Sequence, residues 1–248
     1  MTLQDFFDRH PAVALAFSGG ADSAYLLYAA KAAGAQVHAY FADTPLQPRF
    51  ELSDAVSVAR QLAVPLTVLP LDLLHEPSIT QNQPDRCYYC KMRIFSAIAR
   101  AAWKDGFTML MDGTNASDSA SDRPGMRALQ ELSVASPLRL AGLTKADVRR
   151  LSKEAGLFTW EKPAFACLAT RIPTGVPLTP EALQITEAAE ARLASLGFSD
   201  FRIRFLDGAA RIQLKAEQLP RALERRTDIL DILLPLYRAV MLDLEVRP

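Results

Sequence analysis

Six consecutive residues, Ser18-Gly19-Gly20-Ala21-Asp22-Ser23, have the residue types of an anion-binding turn. An apolar run from Ala12 to Phe17 precedes them, and Ala24-Tyr25-Leu26-Leu27-Tyr28-Ala29-Ala30 follows with the character of a helix. Strand, glycine turn and helix start together aim several backbone N–H groups at one point. Two adjacent glycines let a phosphate approach the backbone without a Cβ in the way. Ser18 and Ser23 add hydroxyl donors, and Asp22 either orients the loop or helps to hold Mg²⁺. No Gly-Lys-Ser/Thr follows, so this is not a Walker A loop, and the third glycine of a dinucleotide fingerprint is missing. A plain glycine turn between a strand and a helix is the alternative at this point.

The cysteines form a second group. Cys87 and Cys90 make a C-x2-C pair in Arg86-Cys87-Tyr88-Tyr89-Cys90-Lys91, at the start of an expected helix. Helix N-termini and nearby Arg and Lys lower thiol pKa values, and such thiolates suit metal binding, sulfur transfer or redox work. The third, Cys167, stands in Lys162-Pro163-Ala164-Phe165-Ala166-Cys167-Leu168-Ala169-Thr170-Arg171-Ile172-Pro173. Taken alone, Cys167 is equally a buried, inert thiol. All three cysteines lie in polar, arginine-bearing segments, which weighs against that reading. A closed zinc site wants a fourth ligand from His10, His38 or His75, and none is at finger-like spacing from a cysteine. A redox disulfide is a third possibility for the pair. Further along, Asp112-Gly113-Thr114-Asn115-Ala116-Ser117-Asp118 ends an expected strand with residues that line either a polar pocket or an Asx-rich turn. In Phe201-Arg202-Ile203-Arg204-Phe205 the period of two places Arg202 and Arg204 on one strand face, as phosphate-binding or as solvent-facing arginines.

Positioning these groups takes an alternating set of elements. Strands are expected at Ala12–Phe17, Gln36–Ala42, Leu66–Leu71 and Thr108–Met111, and helices at Ser23–Ala33, Pro48–Leu62 and Cys90–Ala102. Such alternation predicts an α/β fold, a parallel sheet with helices on both faces, whose ligands sit beyond the C-terminal strand ends. The serine-glycine turn, Asp43-Thr44 and Asp112 to Asn115 all fall at those ends. Thr144 to Asp147 has the form of a helix start, with the helix running to Glu154. Trp160 to Pro180 carries four prolines and little periodicity. A helix from Pro180 to Leu196, a hairpin of Phe201–Phe205 and Ala210–Lys215, a helix from Gln218 to Leu236 and a strand Val240–Val246 make a smaller α+β domain. The expected division is therefore 1–160, a joining loop 161–178 that carries Cys167, and 179–248.

Composition bounds the function. The 248 residues contain 28 Lys+Arg and 28 Asp+Glu, and this balance argues against a dedicated nucleic-acid surface. Every apolar stretch is interrupted before membrane-spanning length, and Met1 to His10 has no hydrophobic signal core. With an odd number of cysteines, three, a cytoplasmic protein without a disulfide framework is expected.

The turn after the first strand resembles the pyrophosphate loop of the N-type ATP pyrophosphatases, which cleave ATP between its α and β phosphates and transfer AMP to a substrate oxygen. Asn82 to Lys91, Asp112 to Asn115, Arg123-Pro124-Gly125 and Cys167 to Pro173 together resemble one branch of these, the LarE family, along nearly the whole chain. That family inserts sulfur into pyridinium-3,5-biscarboxylic acid mononucleotide, a precursor of a nickel-pincer nucleotide cofactor. The resemblance implies an adenine nucleotide alpha hydrolase-like first domain that binds ATP and Mg²⁺ through Ser18, Gly19, Gly20, Asp22, Ser23, Gly113, Thr114 and Asn115. It implies a substrate-phosphate site at Glu190, Arg202 and Arg204. Cys167 matches the family's sulfur-donor position, and with Cys87 and Cys90 it matches members that hold a [4Fe–4S] cluster on three cysteines. Other members sacrifice the sulfur of a lone cysteine. A homo-oligomer acting on a small nucleotide is implied, with no membrane and no nucleic acid. A tRNA thiolase with the same loop and an amidating ligase are rival enzymes, and a nucleotide-binding sensor is the non-enzymatic rival. Two departures stand out: Thr174 follows Arg-Ile-Pro where the family has an aromatic, and Leu242 to Pro248 lacks a glycine-tyrosine extension.

Overall fold

The structure, a computed structural model, describes residues 1–118 and 124–247. Arg123 of the Arg123-Pro124-Gly125 motif lies outside them, as does Pro248. Two compact units divide the chain: Met1–Leu73 with Asp85–Lys162, and Leu74–Pro84 with Pro163–Pro248.

The first unit is built on a parallel sheet. Strands β1 (Ala12–Ala16), β2 (Gln36–Asp43), β3 (Leu66–Pro70) and β4 (Leu110–Met111) stand in the order β3-β2-β1-β4. Around them lie α1 (Leu3–Arg9), α2 (Ala21–Ala32) and α3 (Arg49–Gln61). After α4 (Pro77–Thr80), which belongs to the second unit, come α5 (Arg86–Lys104), α6 (Pro124–Glu131), α7 (Pro137–Leu140) and α8 (Lys145–Glu154). Successive strand residues point to opposite faces. Val13, Leu15, Val37, Ala39 and Phe41 join Phe6 and Phe7 of α1, Leu26 and Leu27 of α2, Val58 of α3 and Val148 of α8 in one core cluster. Ala14, Tyr40 and Ala42 face the other way, onto Phe95 and Ile98 of α5 and Leu129 of α6. Both faces of the sheet are thus covered, as parallel sheets require. β4 is shorter than the expected Thr108–Met111 and is followed by an isolated bridge from Met111 to Ala135.

The second unit has its own core. It contains α9 (Pro180–Ser195), β5 (Arg202–Leu206), β6 (Ala209–Gln213), α10 (Leu219–Glu224), α11 (Arg226–Leu233) and β7 (Ala239–Leu242). β5 and β6 are antiparallel and β7 runs parallel to β6. Asp207 and Gly208 both have positive φ, 47° and 76°, as a two-residue hairpin turn demands. Thr179 caps α9 by accepting from Ala182 N–H at 3.1 Å. Ala189, Leu193, Phe198, Ile203, Ile212, Ile229 and Leu233 fill the interior.

Beyond β4 and the additional helices α1, α6 and α7, the structure departs from the sequence reading in the second unit and its boundary. The single helix expected over 218–236 is two, because the backbone at Arg225 (φ −91°, ψ 18°) leaves the helical region and Asp228 pairs with Arg225. The last strand stops at Leu242, where Asp243 accepts from Glu245 N–H and bends the chain. Residues 163–178, read as part of a joining loop, are counted in the second unit, and so is the segment 74–84. Asn82 explains this grouping. It is buried, with φ of 53°, and its amide donates to the carbonyls of Pro173 (2.9 Å) and Val176 (3.0 Å).

Candidate active site

The sheet order reverses at β1, whose neighbours are β2 and β4, and ligands of open α/β sheets bind outside such a switch point. The turn Ser18-Gly19-Gly20 leads from β1 into α2 here. Ser18 and Ser23 bring their hydroxyl oxygens to 3.0 Å, and Ser23 also donates to Gly20 O at 3.2 Å. Gly19 has φ of 73°, and a Cβ there would lie 3.0 Å from Ala55 N and Glu51 O of α3. At Gly20 a Cβ would meet only Ser18 Oγ at 3.5 Å, so the turn is open on that side. The loop after β4 packs onto the same place: a Cβ on Gly113 would fall 2.9 Å from Ser23 N. Asp112 braces this loop, accepting from Ser136 Oγ at 2.6 Å and from the Thr114 hydroxyl. Asn115 donates its side-chain amide to Asp22 Oδ1 at 3.3 Å. The structure therefore brings together Ser18, Gly19, Gly20, Asp22, Ser23, Gly113, Thr114 and Asn115.

Lys145 joins them and was missed in the sequence. Its Nζ lies 2.5 Å from Asp22 Oδ2. It is the first residue of α8, where a cation opposes the helix dipole. That unfavourable placement in an otherwise well-capped helix was the available signal. Thr144 and Asp147 form a full capping box, and Lys145 N–H donates to Ser117 Oγ at 2.9 Å, which fixes the lysine against the Asn115 loop.

Cys87 and Cys90 occupy the first turns of α5, three residues apart and so on one helix face. Cys87 is exposed and Cys90 half-buried, and a guanidinium nitrogen of Arg86 stands 3.6 Å from Cys87 Sγ. Cys167, half-buried, precedes the 3₁₀ turn Leu168–Arg171, and its carbonyl accepts from Thr170 Oγ at 2.8 Å. The pair belongs to the first unit and Cys167 to the second. Within either unit, among the described residues, no three His, Cys, Asp or Glu side chains are gathered as a metal site.

The second unit concentrates arginines. Arg202 and Arg204 stand on β5, two residues apart, but the strand is not half-exposed: Arg202 and Ile203 are both buried. Arg202 donates to Phe201 O and Ala164 O, each at 2.6 Å, and lies over the Phe165 ring. Arg204 donates to Gln213 Oε1 and, at 2.8 Å, to Thr170 O. Glu190, expected beside a phosphate, is engaged differently. It accepts from Arg171 at 2.8 and 3.1 Å and from Ile203 N–H at 3.0 Å, so it holds Arg171 and β5 in place. Burial, reinforced by the like charges of Arg171 and Arg247, pushes the Arg202 guanidinium down to about 10. Burial and the same neighbours also lower Arg204. An anion would relieve both.

The fold and its turn define the class: an α/β protein with a glycine turn and a second polar loop meeting at the switch point of a parallel sheet. No family model matches the chain. It is 37% identical, over 82% of its length and 74% of the relative's, to pyridinium-3,5-bisthiocarboxylic acid mononucleotide synthase of Lactiplantibacillus plantarum. It is 34% identical, over 88% of its length and 81% of the relative's, to an uncharacterized protein of Synechocystis sp.. A third relative, an uncharacterized protein of Methanocaldococcus jannaschii, is 28% identical over 90% of the chain and 84% of its own length. The chain belongs to the LarE family of sulfur transferases. Among the described residues no helix is long and apolar enough to cross a membrane.

Proposed function

We propose that this protein is an ATP-dependent sulfur transferase that adenylates a carboxylate of pyridinium-3,5-biscarboxylic acid mononucleotide and converts it to a thiocarboxylate. The observation that carries the reading is the meeting of the Ser18–Ser23 turn with the Gly113–Asn115 loop at the sheet's switch point. The N-terminus of α2 and the open side of Gly20 offer backbone donors to a phosphate chain. Lys145 supplies a cation for the phosphates, and Asp22, its ion-pair partner, would be a ligand for Mg²⁺, which would supply charge neutralisation there. The substrate carboxylate attacks the α phosphorus, pyrophosphate leaves, and the acyl-adenylate has AMP as its leaving group. Sulfur then replaces AMP at the activated carbonyl. Arg202 and Arg204 hold the substrate phosphate, with Glu190 keeping Arg171 and β5 in register beside them.

Cys87, Cys90 and Cys167 are the residues that would hold a cluster supplying this sulfur. Three thiolates are the donor set for a [4Fe–4S] cluster with one iron free of protein ligands, and a cluster of that kind can carry an extra sulfide for transfer. The rival mechanism extracts the sulfur of Cys167 itself. Protein prepared without oxygen, assayed for iron and sulfide and for AMP formation with the mononucleotide, tests the proposal. The expected result is about four irons per chain and repeated turnover on added sulfide. AMP formation is expected to vanish in Asp22→Ala and to survive Cys→Ala changes at 87, 90 or 167. Iron-free protein with dehydroalanine at Cys167 after one turnover would establish the sacrificial route. Absence of AMP formation with the wild-type protein would overturn the adenylation reading.

A further inference from the structure

The arginine cluster of the second unit carries more positive charge than its own acids balance. Glu190 neutralises Arg171, and Arg211 lies 3.4 Å from Asp243. Arg202 and Arg204 have only carbonyl and amide acceptors, and among the described residues neither pairs with a carboxylate. Arg247 reaches the cluster from the segment after β7. Its N–H donates to Leu214 O at 2.9 Å, which lays the segment along the end of β6. A guanidinium nitrogen of Arg247 lies 2.9 Å from Asp200 Oδ1, but Lys215 claims the same carboxylate from 3.3 Å. Arg247 Nε is buried and has no hydrogen-bond partner. A buried donor in that state is costly unless something accepts from it. Arg202 and Arg204 both feel the charge of Arg247, which lies close enough to help depress the two.

We propose that Arg247 is a third guanidinium ligand of the phosphate held by Arg202 and Arg204, so that the unit selects a dianionic phosphate monoester over a singly charged diester. The proposal rests on the assignment of Arg202 and Arg204 to the substrate phosphate and deepens it. Asp200 fixes one side of the Arg247 guanidinium and leaves Nε to donate to the ligand. A monoester supplies the second negative charge and the third oxygen that this donor needs. A diester supplies neither.

Calorimetric titration of the full chain tests this, with nicotinate mononucleotide, its methyl phosphodiester and the parent nucleoside as probes. Arg247→Gln is expected to weaken mononucleotide binding about tenfold, the loss of one charge-assisted hydrogen bond. Nucleoside and ATP binding should not change, and the wild-type preference for monoester over diester should shrink. Asp200→Asn separates a ligand from an anchor, because it breaks the same ion pair while keeping the Arg247 charge. A ligand role predicts that Asp200→Asn, which loosens the anchor but keeps the Arg247 charge, loses clearly less mononucleotide binding than Arg247→Gln. Equal losses in Asp200→Asn and Arg247→Gln would reduce Arg247 to an anchor and overturn the proposal. If Arg202→Ala loses the mononucleotide and Arg247→Gln does not, the proposal fails while the phosphate assignment stands. If neither variant loses it, both fail.

Discussion

Gly19 and Gly20 are neighbours with different duties. Gly19 has a positive φ and is pressed against the backbone of α3, whereas Gly20 is extended and faces open space. Gly19→Ala is therefore expected to cost stability, about 1–2 kcal/mol for the left-handed backbone alone and more from the contact with Ala55 N. Gly20→Ala is expected to leave thermal unfolding almost unchanged and to weaken ATP binding about tenfold, since its Cβ would occupy the space a phosphate needs. Melting curves and calorimetry on the two variants check both halves. Equal destabilisation by the two would contradict the division. The turn could be read from sequence because its chemistry is local, with the donors and both glycines inside six residues. Lys145 gave only an indirect signal, its place at the head of α8, and its partner could not be read, since it meets Asp22 across 123 positions and only the folded sheet brings α8 to the turn. The pairing of Glu190 with Arg171 could not be read either, because nothing in its own segment names Arg171 as the partner.

At the scale of elements, β2 carries a half-buried titratable group, His38. His38 stacks on Tyr40 with ring centroids 4.6 Å apart, faces Phe107 edge-on, and has Nε2 2.8 Å from Thr67 Oγ1 of β3. Burial lowers its pKa below 6.5, against a smaller opposing effect of Asp105. The unfolded chain thus takes up this proton more readily than the folded one. The stabilisation from neutral His38 is present above pH 6.5 and is lost as the pH falls through the depressed value. Wild-type protein is expected to lose stability between pH 7 and pH 5, by at most about 1.4 kcal/mol per pH unit from this group. His38→Gln should flatten that part of the profile, as measured by urea unfolding at several pH values. A slope unchanged by the substitution would assign the acid sensitivity elsewhere. Most elements of the first unit were legible because strands of period two and helices of period 3.6 alternate with glycine or proline punctuation. The break at Arg225 falls in the polar run Glu224 to Asp228, between Leu223 and Ile229, where apolar spacing offers no guide and the backbone departs from the helix.

The molecule as a whole divides less simply than its sequence. The boundary near residue 160 could be read from the proline-rich stretch that follows it. The contribution of 74–84 could not, because those residues sit amid the α/β alternation and reveal their allegiance only through contacts. Asn82 is the test of that allegiance. Asn82→Ala removes the amide that serves Pro173 O and Val176 O and places alanine at a φ of 53°. Unfolding of the full chain should show a loss of about 1–3 kcal/mol, from the lost amide hydrogen bonds together with the strain of alanine at a left-handed backbone position. A loss below about 0.5 kcal/mol, the range of ordinary surface changes, would mean that 74–84 is a passenger in the second unit.

The split origin of that unit also has a timetable. During synthesis, 74–84 leaves the ribosome with the first unit, while its partners at 163–178 are still to be made. At ordinary elongation rates, roughly eighty residues separate the two events by about 4–16 s. At the start of that interval only β1, β2 and β3 have been made, β4 follows within it, and Asn82 has none of the carbonyls it will later serve. The order of manufacture thus makes the parallel sheet the earlier structure, with a short length of chain held over for a domain that does not yet exist.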